Sequence, residues 1–162
     1  MKIVTNFKQI VGIDEVGKGS LYGPVFAGAV ILENDAETIL LKAGLKDSKA
    51  LTHKKRESLV PLIQQEAMDW GLGQSSANEI DSIGIREATE LAMLRALQKL
   101  QKPINLVLVD GILPIRLWKG KQKTLVHGES NSASISWKDR SEIFFYYLSK
   151  RKKLDQETRG RS

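Results

Sequence analysis

The chain has 162 residues, 41% hydrophobic and 27% charged, which is the composition of a soluble globular protein at a length that fits one domain. With no cysteine and only His53 and His127, disulfides and thiolate metal sites are excluded and a Cys/His zinc centre is argued against. No apolar run approaches the roughly eighteen residues of a membrane span, Met1 to Phe7 lacks the pattern of a secretory leader, and the charge of +6 with a pI near 9.5 favours a polyanionic partner; a cytoplasmic protein with no membrane partner is expected.

In chain order, Lys8 to Asp14 reads as a strand running into Gly17-Lys18-Gly19, a turn where glycine allows unusual backbone angles. Val25 to Leu32 is almost continuously apolar, as a buried strand would be. Thr52 suits the N-cap of a helix reaching about Met68. Asp69 to Gln74 reads as a short strand weakened by its two glycines. Ser76-Ala77-Asn78-Glu79 has capping-box spacing. Beyond a break near Gly84, residues Ile85, Ala88, Ala92, Ala96 and Leu100 recur at helical intervals, with Pro103 closing the helix. Ile104 to Val109 is too apolar for a strand with one wet face and suggests the buried centre of a partly parallel sheet. Lys123 to His127 reads as a further strand and Ile135 to Lys150 as a last helix. The polar tail from Leu154 is expected to be disordered, leaving a folded domain over residues 1–153. Strands followed by alternating helices and strands indicate a layered α/β domain. The basic groups at Lys54-Lys55-Arg56, Lys119 to Lys123 and Lys150 to Lys153 are equally consistent with solvated faces.

Asp14-Glu15 and Asp110 share a setting: an apolar strand, a carboxylate, then a glycine close behind. Strand ends in open α/β sheets are where sites collect. Carboxylates are the natural ligands of Mg²⁺, and two such ions about 4 Å apart can activate water and stabilise the leaving oxygen of a phosphodiester. Acidic residues at strand ends also cap turns or simply face water. Adjacent strand residues point to opposite faces, so Asp14 and Glu15 share a site only where the strand ends or twists. Spacing alone leaves both readings open.

The segment Gly12-Ile13-Asp14-Glu15-Val16-Gly17-Lys18-Gly19, followed by Gly23-Pro24-Val25, resembles the opening signature of type 2 ribonuclease H. Leu45-Lys46-Asp47-Ser48-Lys49-Ala50-Leu51 is similar to that family's Asp-Ser-Lys motif, and Val109-Asp110-Gly111 to its central Asp strand. Gly128-Glu129-Ser130-Asn131-Ser132-Ala133-Ser134-Ile135 resembles the segment with its fourth carboxylate. The resemblance covers roughly residues 8 to 140. It implies a ribonuclease H-like mixed β-sheet flanked by helices. It also implies an endonuclease that hydrolyses the RNA strand of RNA–DNA hybrids and cuts at ribonucleotides embedded in duplex DNA, leaving 3′-hydroxyl and 5′-phosphate ends. By residue match, Asp14, Glu15, Asp110 and Glu129 would hold two Mg²⁺ or Mn²⁺ ions. Gly17, Lys18 and Gly19 would meet the ribose 2′-hydroxyl that distinguishes RNA from DNA. Asp47, Ser48 and Lys49 would line the substrate groove of a monomeric enzyme.

The sequence departs from that pattern at several points. Lys18 stands where arginine is usual and cannot make the planar fork. Glu129 stands where aspartate is usual, and Asn131 where lysine is common. Between Ser136 and Trp137-Lys138-Asp139-Arg140 about eight residues are missing relative to the family, equivalent on a helix to about 12 Å of rise and about 80° of rotation. Asp139 therefore takes no catalytic role, and neither Tyr146 nor Tyr147 takes that of the family's substrate-stacking tyrosine. The gap sets a second reading beside the first: a catalytically impaired homologue that binds hybrids without efficient cleavage. A third, a junction-resolving nuclease of the same fold, is opposed by the Gly-Lys-Gly motif next to Asp14-Glu15.

Overall fold

The structure, a computed structural model, describes residues 9–16, 23–32, 34–44, 52–110 and 113–125. These form β1 (Ile10–Val16), β2 (Val25–Ile31), α1 (Asn34–Lys42), α2 (His53–Glu66), β3 (Asp69–Ser75), α3 (Ala77–Ile83), α4 (Ile85–Gln98), β4 (Leu106–Asp110) and β5 (Gln122–Leu125). The strands make one sheet in the order β3-β2-β1-β4-β5. The pairs β1–β2 and β2–β3 are antiparallel, and β1–β4 and β4–β5 are parallel. This is the mixed sheet flanked by helices that was expected, with the apolar fourth strand inside its parallel half. The last helix and the polar tail expected from the sequence lie outside the described residues. Among those described, no helix is long and apolar enough to cross a membrane.

Alternation along the strands divides the core into two layers. Val25, Ala27, Ala29 and Ile31 of β2, Val11 and Ile13 of β1, and Val107 and Val109 of β4 pack against Ala92, Met93, Ala96 and Leu97 of α4. On the other face, Val30 and Leu32 meet Ala36 and Leu40 of α1 and Leu59, Val60 and Ile63 of α2. Because β2 is buried on both faces, it reads as an unbroken apolar run. Trp70 packs beside the second layer and Trp118 beside the first, as packing tryptophans should. Trp137 and His127 lie outside the described residues.

Local signals set most boundaries. The Thr52 hydroxyl accepts the Lys55 N–H at 3.2 Å, capping α2 as its sequence suggests. Ser76 Oγ accepts the Glu79 N–H at 3.1 Å, while the Glu79 carboxylate takes Arg95 Nη1 at 2.7 Å. Besides shifts of a residue or two at strand ends, three features differ from expectation. The strand β1 does not stop at Asp14; Glu15 and Val16 continue its pairing with Ala27 and Phe26. The helix α4 ends at Gln98, with Lys99 as its cap, well before Pro103: the Asp69 carboxylate accepts the N–H groups of Gln101 and Lys102 at 2.6 and 2.8 Å and turns the chain away first. The helix α1, absent from the sequence reading, fills the connection after β2.

Candidate metal centre

The geometry of the carboxylates follows from strand register. Pairing between β1 and β4 sets Ile10 beside Leu106 and Ile13 beside Val109. At the opposite end Asn105 locks this alignment: its side-chain oxygen accepts the Gln9 N–H at 2.8 Å, and its own N–H donates to the Gln9 carbonyl at 3.0 Å. Carried one residue past Ile13 and Val109, the parallel register sets Asp14 beside Asp110. Asp14 lies on the sheet face opposite α4, because Ile13 belongs to the α4 layer and strand residues alternate. Asp110 is the last residue of β4. On its other flank Asp14 pairs with Gly28, which has no side chain to crowd it. Asp14 is half-buried, and its Oδ1 accepts the Glu15 N–H at 2.8 Å, a contact that orients the carboxylate.

Asp14 and Asp110 follow the last paired residues of two adjacent parallel strands, and aspartate is a hard oxygen donor, the chemistry that suits Mg²⁺ or Mn²⁺. With respect to donor type, the residues fit the expected metal. Among the described residues no group of three or more His, Cys, Asp or Glu side chains converges on a metal-sized space. Since β1 is regular through Val16, Glu15 alternates to the α4 side, beside Ala27. The structure thus brings Asp14 and Asp110 into adjacent positions and sets Glu15 on the other face of β1. Gly17, Lys18, Gly19, Asp47, Ser48, Lys49 and Glu129 lie outside the described residues.

A second cluster stands at the same end of the sheet and is invisible in the sequence. Ser75 donates its hydroxyl to the Ala88 carbonyl, while Gly73 lies against Ala92 and Gly71 against Ala96. The helix α4 is therefore antiparallel to β3, and also to β1 and β4, so its first turns sit where β1 and β4 end. There Glu90 is only 6% exposed. Arg116 Nε lies 2.9 and 3.0 Å from its two carboxylate oxygens, and Arg116 Nη2 lies 3.2 Å from Glu87 Oε1. Arg86 approaches Glu90 at 3.7 Å. The Glu87 carboxyl is held below the ordinary glutamate range by its own backbone N–H in the first turn of the helix and then by Arg116. Arg116 is pushed above its ordinary value by Glu90 and then Glu87. No spacing rule joins Arg116 to residues on a helix far back in the chain, and so sequence reasoning passed over it.

The ribonuclease HII family model matches residues 11–139. Ribonuclease HII of Prochlorococcus marinus (strain NATL1A) is 65% identical over 127 residues, covering 78% of this chain and 65% of that protein. Its counterpart from strain MIT 9313 is 60% identical over 129 residues, covering 80% and 59%. The chain thus spans less than two thirds of the length of these relatives. Among solved structures, ribonuclease H2 from Pyrococcus horikoshii OT3 has a TM-score of 0.71 at 22% identity, covering 93% of this chain and 76% of that one. Bst-RNase HIII in complex with Mn²⁺ has a TM-score of 0.72 at 19% identity, covering 94% and 55%. At these identities the structural likeness establishes the fold alone.

Proposed function

The chain belongs to the ribonuclease HII family, and from that premise we propose that it is a metal-dependent endonuclease, active as a cytoplasmic monomer. Its reaction is hydrolysis of the RNA strand of RNA–DNA hybrids and of the backbone at single ribonucleotides in duplex DNA. The observation that supports this reading is the parallel register of β1 and β4, which ends with Ile13 beside Val109, each followed by an aspartate within a motif of the family. Asp14, Glu15, Asp110 and Glu129 would hold Mg²⁺ or Mn²⁺ ions, which supply an activated water and a charge sink for the leaving 3′-oxygen.

The chain's own residues do the rest. Asp14, steadied by the Glu15 N–H, keeps an oriented oxygen for a cation. Asp110, at the neighbouring position, shares the cation's charge. Gly17-Lys18-Gly19 leaves β1 immediately beyond these carboxylates in sequence and would bring backbone groups close to a ribose. Asp47, Ser48 and Lys49 would contact the groove-bound strand. In that hydrolysis the oxygen of water would bond to phosphorus as the P–O3′ bond breaks, and the proton that water gives up would be balanced by one taken up by the leaving 3′-oxygen, giving a 3′-hydroxyl and a 5′-phosphate.

The test is cleavage of a duplex with one embedded ribonucleotide, beside a full hybrid and an all-DNA duplex, in Mg²⁺ and in Mn²⁺. Asp14→Asn should lower cleavage by about 100-fold or more, the scale on which loss of one charge-stabilising group acts. Absence of any metal-dependent cut above that variant would refute the proposal. The position of Glu15 across β1 from Asp14 favours one second reading, a homologue that binds hybrids but cuts them poorly. Tight binding of hybrid without cleavage would establish it.

A further inference from the structure

A carboxylate buried at the edge of an apolar layer is costly unless it is paired and hydrogen-bonded. The packing of α4 does not call for one at Glu90: Ala88, Ala92 and Ala96 lie along β3, and Met93 and Leu97 fill the layer beneath. An apolar side chain would occupy the position with no desolvation cost. What an ion pair adds is direction, since a guanidinium held against both oxygens of a carboxylate fixes the backbone that carries it.

That backbone is the segment between β4 and β5. It is tied down at two points. Ile115 is fully buried, and the Gln122 side-chain amide brackets it, accepting its N–H at 2.8 Å and donating to its carbonyl at 2.9 Å. This first tie joins the segment to β5 and to the core layer under α4. The second is Arg116, which crosses to Glu90 and Glu87 on α4. Asp110 lies just before this segment, at the last position of β4. The pairing of β4 with β1 ends at Val109, whereas Asp110 itself pairs with Leu125 of β5. How Asp110 sits relative to β1 therefore depends on what holds the chain beyond it: Ile115 seats that chain in the α4 layer of the core, and Arg116 is its polar tie to the first turns of α4.

We propose that Arg116 and Glu90 are positioning residues for the metal centre: the clasp across α4 sets the end of β4, and with it Asp110, at the spacing from Asp14 that a divalent cation requires. The inference rests on the proposed metal-dependent nuclease, but its primary readout does not need turnover. Mn²⁺ binding to the intact chain, followed by calorimetry or by the spin signal of free Mn²⁺, should weaken about tenfold in Arg116→Ala and in Glu90→Gln, the scale on which groups behind a ligand act. Arg116→Lys, which keeps the charge but loses the fork, should fall between these and the parent. The Mn²⁺ concentration for half-maximal cleavage should rise in step, while KM for the duplex stays within about twofold, because the clasp touches no substrate.

Ile63→Val, in the layer on the far side of the sheet from the clasp, is the control. It should lower the unfolding midpoint without changing Mn²⁺ affinity. Should Arg116→Ala not fold, Arg116→Lys and Glu90→Gln decide by the same measurement. Unchanged Mn²⁺ affinity in the folded clasp variants, or an equal loss in Ile63→Val, would overturn the proposal. A parent that binds Mn²⁺ but cuts no hybrid would refute the functional reading and leave the clasp to stand or fall on binding. A parent that cuts, with clasp variants that bind and cut alike, would overturn the clasp alone.

Discussion

Glu87 and Arg116 show how far a surface ion pair can be taken as chemistry. The Glu87 side chain is 49% exposed, so water screens most of its attraction to Arg116. Its carboxyl is nonetheless depressed, by its own N–H first and by Arg116 second. A depressed acid contributes stability that is fully present above its unfolded-state value, about 4.3, and is lost as pH falls through the lower folded value. The parent should therefore unfold at a higher temperature than Glu87→Gln at neutral pH, with the gap closing as the solution is acidified below about pH 4. A gap that persists unchanged into acid would show that Glu87 acts through something other than its charge. Arg116 moves in the opposite sense and stays protonated at any pH where the chain would be assayed. At this same scale the Asp14-Glu15 pair was legible as a candidate site, because two acids ending an apolar strand before a glycine are chemically conspicuous. The sequence could not say which face each takes. A strand that remains regular through Val16 keeps Asp14 on the face away from α4 and turns Glu15 towards the α4 side.

Elements were most legible where burial was complete. Val25 to Ile31 and Val107 to Val109 announce themselves because a strand covered on both faces is apolar throughout. The helix α1 did not: it is nine residues long, and among its described side chains Ala36 and Leu40 are buried while Ile39 faces water, a short stripe to recognise. The strand β3 is the instructive case. By propensity its glycines weaken a strand, yet packing is what places them there. A Cβ on Gly73 would meet the Ala92 carbonyl oxygen and lie 2.5 Å from Ala96 N, and one on Gly71 would meet the Ala96 carbonyl oxygen and lie 2.7 Å from Lys99 Cβ. The glycines let the backbone of α4 rest on the sheet. Gly73→Ala, which would be harmless or helpful in an open strand, should instead destabilise the chain by about 1–3 kcal/mol, the usual cost of overpacking. A fall in the urea midpoint at unchanged slope would register it; an equal or higher midpoint would mean that α4 can lift away without penalty.

At the scale of the molecule, the mixed sheet was legible in outline, since an apolar fourth strand called for parallel neighbours. Strand order and the Glu90–Arg116 contact were not, because both depend on which distant segments meet, and no local period encodes that. Net charge carries information of another kind. A charge of +6 bears on association rather than on fold, and it becomes testable once a polyanionic duplex is the proposed partner. Each phosphate contact releases condensed counterions, so affinity should fall steeply with salt. For about four contacts the loss between about 50 and 200 mM salt is about two orders of magnitude. Asp14→Asn, which should not cut, allows binding to be followed by the anisotropy of a labelled hybrid across that range. Lysines that serve only as solvated surface would leave the curve shallow, and recognition would then have to come from close backbone approach to the ribose. A steep curve shared by hybrid and all-DNA duplex would assign the charge to general affinity and leave discrimination to the ribose contact, where the Gly17-Lys18-Gly19 motif is proposed to act.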